Sequence, residues 1–337
     1  MDPDLFISKV IQGEGKDVQS KKRVYAADFS QYRSLYKLFS NGCPGACERL
    51  AEPAGILADI LSRSLGQELS EQWKQTIVVE NKVGAGGAVA ASQVARARPD
   101  GYTMLMVSGS MLTVNPNLYK DLPYRVGDFK NVSIVSIGPF VVATNKKVPA
   151  NNLAELLSYI GQNKSAVNFG SSGVGSQTHM ASEMLMHVTG SKMTHIPYSG
   201  ETLALTDLIA GQIQVVTGNL AALMPFIKSG DVKAIAVTSS ERSSALADVP
   251  TVKEQINKEF DAQGWFGVVV PKGTPDDIVQ KMEQGIATAM VSERMKKKFQ
   301  DLGLTAAEQG QEYMTQKITN ELASWKTIIA EQKINPK

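Results

Sequence analysis

The chain has 337 residues, of which 43% are hydrophobic and 20% are charged, and its formal net charge is +2. This composition is typical of a globular protein and excludes the strongly basic surface of a nucleic-acid-binding domain. The best apolar segment, residues 132–144, is too short for a membrane-spanning helix and contains Gly138 and Pro139.

The N-terminal 45 residues differ from the rest of the chain. They are polar, end in a turn-rich segment at residues 41–45, and predict a poorly packed extension. The first 30 residues carry charges throughout and lack the apolar stretch of a signal peptide. Cys43 and Cys47 lie four residues apart without a second ligand pair, so we expect no metal site, and whether they form a disulfide stays open.

From residue 53 onwards, helical and strand patterns alternate. In chain order the sequence predicts a helix over 56–73, a strand over 76–80, a helix over 88–97, strands over 102–107, 132–137 and 140–144, a helix over 151–162, a strand over 166–169, a helix over 177–189, a strand over 193–196, a helix over 201–211, a strand over 213–217, a helix over 220–229, strands over 233–238 and 267–270, and helices near 275–290, 292–302 and 311–331. Such alternation predicts an α/β protein with mainly parallel sheets. Because no flexible linker divides the chain, we expect two domains joined by several crossings, with a cleft between them.

Glycine and hydroxyl residues crowd the loop before the helix predicted at residue 177. N–H groups at the positive end of a helix suit an anion. Gly170 and Gly175 have the spacing of a P-loop, but Ser176 and Gln177 stand where that motif needs Lys and then Ser or Thr. Two interpretations stay open, a plain strand-to-helix turn or a carboxylate site built from N–H groups and hydroxyls.

Other motifs argue against catalysis. The loop at residues 84–87 does not fit a dinucleotide fingerprint, because residue 89 is valine. No nucleophile elbow is present, and we interpret His179 and Glu183, four residues apart, as a surface pair. A further turn at residues 198–200 leads into a helix whose first turn contains Glu201, which we expect to act as a cap. The sequence predicts no catalytic residue.

A series of motifs then follows in a fixed order: residues 78–87 (VVENKVGAGG), 97–103 (ARPDGYT), 115–119 (NPNLY), 168–175 (NFGSSGVG), 195–198 (HIPY), 206–212 (TDLIAGQ), 236–238 (AVT), 248–252 (DVPTV) and 265–267 (WFG). Together they resemble the Bug family, the extracytoplasmic solute-binding receptors of tripartite tricarboxylate transporters. The resemblance covers roughly residues 53–330.

The resemblance implies a two-domain fold of the type II periplasmic-binding-protein, or Venus-flytrap, class, with mainly parallel sheets and a ligand cleft between the domains. Residues 46–143 plus 264–337 are expected to form domain 1, and residues 144–263 domain 2, after the extension at 1–45. The implied protein is a periplasmic, non-enzymatic monomer without cofactor or metal. It captures a small carboxylate and passes it to membrane permease subunits of the transporter. The alternatives are a cytoplasmic ligand sensor and an organic-acid enzyme using the same cleft.

The family's ligand contacts come from four loops. Carried onto this chain, the resemblance implies these ligand-binding residues: Ala54, Gly55, Ser108, Ser110, Gly170, Ser171, Ser172, Gln177, Thr178, Ser199, Gly200, Glu201 and Thr202.

The chain departs from the family pattern at two places. Residues 47–52 are charged and poor for a central strand, where the family has an apolar one. Gly218 precedes Asn219 where many relatives carry Asp–Asn. An aspartate there could pair with an amino group of the ligand, so its absence favours a plain carboxylate.

Overall fold

Two groups of strands share one long strand in the computed structural model, which describes residues 48–53, 56–82, 85–163, 166–304 and 310–335. The predicted extension at residues 1–45, Cys43, Cys47, Ala54 and Gly55 lie outside the described residues. The described strands are β1 (Glu48–Pro53), β2 (Ile77–Lys82), β3 (Thr103–Ser108), β4 (Phe129–Asn145), β5 (Asn168–Ser171), β6 (Thr194–Pro197), β7 (Val215–Asn219), β8 (Val232–Val237) and β9 (Gln263–Pro271).

Helices connect the strands in the alternation that the sequence predicts. The described α-helices are α1 (Ile56–Trp73), α2 (Ala88–Ala95), α3 (Gly109–Thr113), α4 (Asn115–Leu118), α5 (Leu153–Gln162), α6 (Gln177–Thr189), α7 (Glu201–Ala210), α8 (Leu220–Lys228), α9 (Val252–Ile256), α10 (Asp276–Met290), α11 (Glu293–Leu302) and α12 (Gln311–Glu331). In the described part of the chain, no helix combines the length and the apolar character that crossing a membrane requires.

Strand β4 belongs to both groups of strands. Its residues 129–139 pair with β9, and the order β2-β1-β3-β9-β4 defines what we call the first lobe. Its residues 140–145 pair with β7 and β8, and β7 continues through β5 to β6 to form the second lobe. The pairs β1–β2, β1–β3, β5–β6 and β5–β7 are parallel, whereas the antiparallel pairs all contain β4 or β9.

Two predictions about strands are wrong. The segment expected to be poor for a central strand forms β1, which lies between β2 and β3. Main-chain hydrogen bonds to two parallel neighbours stabilise a strand whatever its side chains are. The two strands predicted at 132–137 and 140–144 are one strand of 17 residues. Its Gly138 and Pro139 pair with Gly264 and Gln263 of β9, so the ladder continues through the point where a break was expected.

Separate apolar cores stabilise the two lobes, and a smaller cluster joins them. Val114, Leu118, Ile328 and Ile329 pack against Met180 of α6. Since α6 lies in the second lobe and the other four residues belong to α12 and the segment after β3, this cluster is a direct apolar contact between the lobes. The domain boundaries implied by the resemblance stay a prediction.

Gly109, the first residue of α3, packs directly against Trp265 of β9. A Cβ atom on Gly109 would lie 2.5 Å from Nε1 and 2.6 Å from Cε2 of the buried Trp265 indole. A rigid ring cannot move aside as a flexible chain end can, so we expect Gly109→Ala to destabilise the protein by about 1–3 kcal/mol. Urea unfolding measures this free energy.

Gly161→Ala is the matched control. Gly161 lies inside α5, and a Cβ there meets no atom within 4 Å. We expect this variant to keep or gain stability, by up to about 1 kcal/mol, because Ala is a better helix former than Gly. Equal unfolding midpoints for the two variants would contradict the packing argument.

Candidate functional site

The first turn of α6 presents unpaired main-chain donors. Ser176 caps the helix: its Oγ accepts from the N–H of His179 at 3.2 Å, and its carbonyl accepts from the N–H of Met180 at 3.0 Å. The N–H groups of Gln177 and Thr178 have no hydrogen-bond partner among the described residues. Two such groups at the positive end of a helix form an anion-binding position.

The hydroxyl of Thr178 organises the loop in front of this helix. It accepts from the Ser172 N–H at 3.0 Å and lies 2.9 Å from the Ser172 hydroxyl and 3.1 Å from the Ser176 hydroxyl. Thr178 itself is buried. These contacts hold the loop in one shape before any ligand arrives, so a ligand does not have to order it.

Behind the loop lies a stack of three rings, of which Phe169 and His179 are buried and His195 is half-buried. Phe169 and His195 stack with centroids 4.8 Å apart, and His195 and His179 stack at 3.8 Å. The Ser171 hydroxyl shares a hydrogen bond of 2.7 Å with Nε2 of His195, and it donates to the carbonyl of Gly173 at 3.1 Å. Burial and the neighbouring His179 lower the pKa of His195 to about 3, so its ring is neutral at pH 7.

The interpretation of His179 and Glu183 as a surface pair is wrong, because both side chains are buried. Nδ1 of His179 accepts from the Gly175 N–H at 3.1 Å, so the ring proton lies on Nε2, which is 3.3 Å from the Glu183 carboxylate. The helical spacing predicts the contact between the two residues. It cannot predict their burial, because the surrounding strands come from distant parts of the chain.

The side chain of Gln177, in the second lobe, bonds to the first lobe. The amide of Gln177 accepts from the Trp265 N–H at 2.8 Å and donates to the Trp265 carbonyl at 3.3 Å. The indole Nε1 of Trp265 donates to Glu321 of α12 at 2.9 Å, and the Thr113 hydroxyl donates to the same carboxylate at 3.1 Å. Gln177 therefore fixes the N-terminus of α6 against β9.

A cavity lies between the lobes at this contact. It has about 20 Å³ of space, enough for roughly one water molecule. Ser110, whose hydroxyl lies 3.2 Å from that of Ser108, contributes to its wall. The residues that line it are Ser110, Thr113, Val114, Phe140, Gln177, Met180, Ala181, Ala262, Gln263, Glu321 and Trp325. Because the cavity is so small, any larger molecule between the lobes requires them to move apart.

Helix α7 begins beside the loop of α6, since the Tyr198 N–H donates to the Ser171 carbonyl at 3.1 Å. Its first residue, Glu201, does not cap α7 as expected. The Glu201 carboxylate instead accepts from the main-chain N–H of Asn219 at 2.5 Å and from the Asn219 side-chain amide at 2.6 Å. It therefore caps the N-terminus of α8, which Asn219 precedes.

The structure brings some of the predicted site residues together. Ser110 and Gln177 line one cavity, and Ser171, Ser172 and Thr178 share one hydrogen-bonded loop. Gly170 lies at the base of that loop. A Cβ atom on it would lie 2.5 Å from the Ile213 side chain, so a glycine at this position allows Ile213 to pack against the strand. Ser199 and Thr202 are exposed, and Gly200 precedes α7 with a φ of 130°. Ala54 and Gly55 lie outside the described residues, so their role in ligand binding stays a prediction.

Sequence analysis missed Phe140, Trp265, Glu321 and Trp325, which line the cavity or hold Gln177. The motif at residues 265–267 marked Trp265 as part of the resemblance but gave it no role. No local pattern singles out Glu321 or Trp325, because both are ordinary positions of a long helix. The described residues contain no cluster of His, Cys, Asp and Glu suited to a metal ion.

The low pKa of His195 predicts how the stability of the protein depends on pH. In an unfolded chain a histidine has a pKa of about 6.5, so between pH 6.5 and 3 the unfolded state binds a proton that the folded state does not. Acidification therefore destabilises the fold, by up to about 1.4 kcal/mol per pH unit from this group.

The variant His195→Gln removes this contribution. We expect the loss of unfolding free energy between pH 6.5 and 4.5 to be smaller in His195→Gln than in the wild type, as measured by urea unfolding at each pH. All other titrating groups are common to the two proteins and cancel in the comparison. Identical losses would show that His195 is not the titrating group.

Comparisons with known proteins agree with this architecture. The family model described as tripartite tricarboxylate transporter family receptor (TctC) matches residues 61–334. Protein BugT of Bordetella pertussis is 33% identical over 281 residues, which are 83% of this chain and 86% of BugT. The structure of R. palustris Rpa4515 with adipate has a TM-score of 0.81 at 28% identity, and the match covers 88% of this chain and 100% of that one. MatC (Rpa3494) from Rhodopseudomonas palustris with bound malate has a TM-score of 0.77 at 27% identity, covering 85% and 100%.

The predicted family and the predicted fold class are both confirmed, since the structural neighbours are binding proteins of the same α/β type. The family model spans most of the described chain, and BugT matches over nearly its whole length. The chain belongs to the Bug family of tripartite tricarboxylate transporter receptors.

Proposed function

We propose that this chain is a periplasmic solute-binding protein that captures a small carboxylate between its two lobes and passes it to the membrane permease of a tripartite tricarboxylate transporter. It acts as a monomer and carries out no chemistry on the ligand. Membership of the receptor family supports the transport role, and the details of ligand capture follow from the site.

The observation that carries the proposal is the free pair of N–H groups at Gln177 and Thr178. They lie at the first turn of α6, and the side chain of Gln177 lines the cavity between the lobes. A carboxylate accepts strong, charge-assisted hydrogen bonds from such donors. The neighbouring hydroxyls of Ser172 and Ser176 add further polar contacts, whereas no nucleotide-binding lysine is present in the loop.

Ligands of relatives have the chemistry that this position suits. Adipate and malate, bound by Rpa4515 and MatC, are both small dicarboxylates. Each of their carboxylates can accept two or more hydrogen bonds from main-chain donors. A similar small acid is therefore the ligand that we propose for this chain.

To close the lobes, the ligand has to contact both of them. Only contacts that differ between the open and the closed form shift the equilibrium between these two forms. Gln177 and Thr178 supply the contacts from the second lobe. Ser110, buried in the opposite wall, supplies the contact from the first lobe. Since the cavity holds about one water molecule, an acid enters only when the lobes move apart, and the lobes then close on it at a wider separation than in this structure.

The enzyme alternative has one feature in its favour, the 2.7 Å contact between Ser171 and His195. A nucleophilic serine needs access to its substrate, but only 1% of Ser171 is exposed. Its hydroxyl also bonds to both the N–H and the carbonyl of Gly173. These contacts support a structural role for the pair, and receptor membership of the family favours a periplasmic location over a cytoplasmic sensor.

Titration calorimetry with adipate, malate, succinate, glutarate and nicotinate tests the proposal. We expect at least one of these acids to bind the wild-type protein. Ser110→Ala removes the hydroxyl of the first lobe, and we expect it to weaken binding roughly tenfold, the usual effect of losing a hydrogen bond to a charged group. Its melting temperature should stay close to that of the wild type.

Ser158→Ala is the matched control, since this serine is exposed on α5 and bonds only to Gln162 among the described residues. It should leave ligand affinity unchanged. An absence of binding by every acid, or turnover of an acid during incubation with the protein, would overturn the proposed function.

A further inference from the structure

The Glu201 carboxylate fills the space beside a glycine of β7. A Cβ atom built on Gly218 would lie 2.7 Å from Oε1 of Glu201. A side chain at residue 218 would displace the Glu201 carboxylate from this position beside Asn219. Helix α7 thus supplies a carboxylate at the place where a side chain from β7 would otherwise lie.

This carboxylate lies at the same edge of the sheet as the proposed ligand site, although Glu201 itself is not among the residues that line the cavity. Asn219 pairs with Phe140 of β4, and Phe140 lines the cavity between the lobes. Strand β7 also runs parallel to β5, so the ends of both strands, which lead into α8 and the loop of α6, lie at one edge of the sheet. Ligands of open α/β sheets bind at this edge.

The Glu201 carboxylate lacks a positive partner among the described residues. Its hydrogen bonds come from the N–H and the side-chain amide of Asn219, both neutral donors. Burial raises the pKa of Glu201 to about 7, against the lowering effect of these two bonds. A desolvated carboxylate without a counter-charge is costly, so a donor supplied by a ligand would stabilise it.

We propose that Glu201 makes the site selective for a carboxylic acid that carries a hydrogen-bond donor, an ammonium or a hydroxyl group, on its carbon chain. The ligand carboxylate binds the N–H groups of α6, and its donor group binds Glu201. This inference rests on the proposed function. It reverses the expectation that Gly218 favours a plain carboxylate, because the acidic group missing from β7 comes from α7.

The same geometry disfavours a plain acid at this end of the site. Glu201 already occupies the main-chain N–H of Asn219, which precedes α8. A second ligand carboxylate placed there would find that N–H taken, and it would meet a like charge whenever Glu201 is ionised. A ligand that donates meets an acceptor with free lone pairs instead.

Matched acids test the proposal. Succinate, malate and aspartate share one four-carbon dicarboxylate skeleton and differ by hydrogen, hydroxyl and ammonium; glutarate, 2-hydroxyglutarate and glutamate form the five-carbon set. In calorimetry we expect the wild type to bind a hydroxyl- or ammonium-bearing acid at least tenfold more tightly than the plain acid of the same set. Comparison of the hydroxyl and ammonium members identifies which donor it takes.

Glu201→Gln should reduce this preference to less than threefold, because the amide carries no charge. The double variant Glu201→Gly/Gly218→Asp places a carboxylate on β7 instead of α7 and should restore the preference. It also tests the proposal if Glu201→Gln fails to fold. Glu241→Gln, an exposed position of the second lobe, is the control and should behave as the wild type does.

The outcomes separate this inference from the proposed function. If the wild type binds none of the acids, the proposed function fails and the inference with it. If it binds the plain and substituted acids equally, or if Glu201→Gln keeps the full preference, the inference alone is overturned. A double variant that folds but shows no preference also counts against it.

Discussion

The two hydrogen bonds between the Gln177 amide and the Trp265 peptide determine the geometry of the site. They join the N-terminus of α6 to β9, the strand that forms an extended ladder with β4. The Trp265 indole is held in turn by Glu321 and contacts Gly109 at the start of α3. The distance between the free N–H groups of the second lobe and the hydroxyl of Ser110 therefore depends in part on Trp265 of β9. The apolar cluster around Met180 maintains the same separation from the other side of α6.

In this site the side-chain hydroxyls shape the loop, whereas the main-chain N–H groups are left to bind a ligand. The hydroxyls of Ser171, Ser176 and Thr178 bond within the loop and give it a fixed shape. The main-chain N–H groups at the start of α6 are the donors that remain. Donors held by the backbone of a helix cost no side-chain entropy when a ligand binds, so a site of this kind gains affinity from its rigidity. The ring stack behind the loop, in which His195 is neutral at pH 7, adds to that rigidity.

Local sequence patterns predicted the helices well. The bounds of α1, α6 and α12 agree with the predicted helices because strong helical periodicity, and for α6 a capping serine, mark them. Strand β1 and the continuous β4 were not predicted, since their stability comes from neighbours far away in the chain. The loop at residues 170–178 was identified as a site candidate from its composition. The bond between Glu201 and Asn219 was not, because 18 residues separate the two and only the parallel packing of β5, β6 and β7 brings them together.

The bond between Glu201 and Asn219 also bears on how substrates are assigned to transport receptors. A sequence alignment of β7 alone shows a glycine at residue 218 and therefore suggests that this part of the cleft has no acidic group. In the structure, however, a carboxylate oxygen of Glu201 lies where the side chain of residue 218 would begin. If Glu201 binds the solute as we propose, two receptors would offer the same charge from non-equivalent positions of their sequences. Groups of receptors with a common substrate are better defined by the chemistry found at each point of the cleft than by aligned columns.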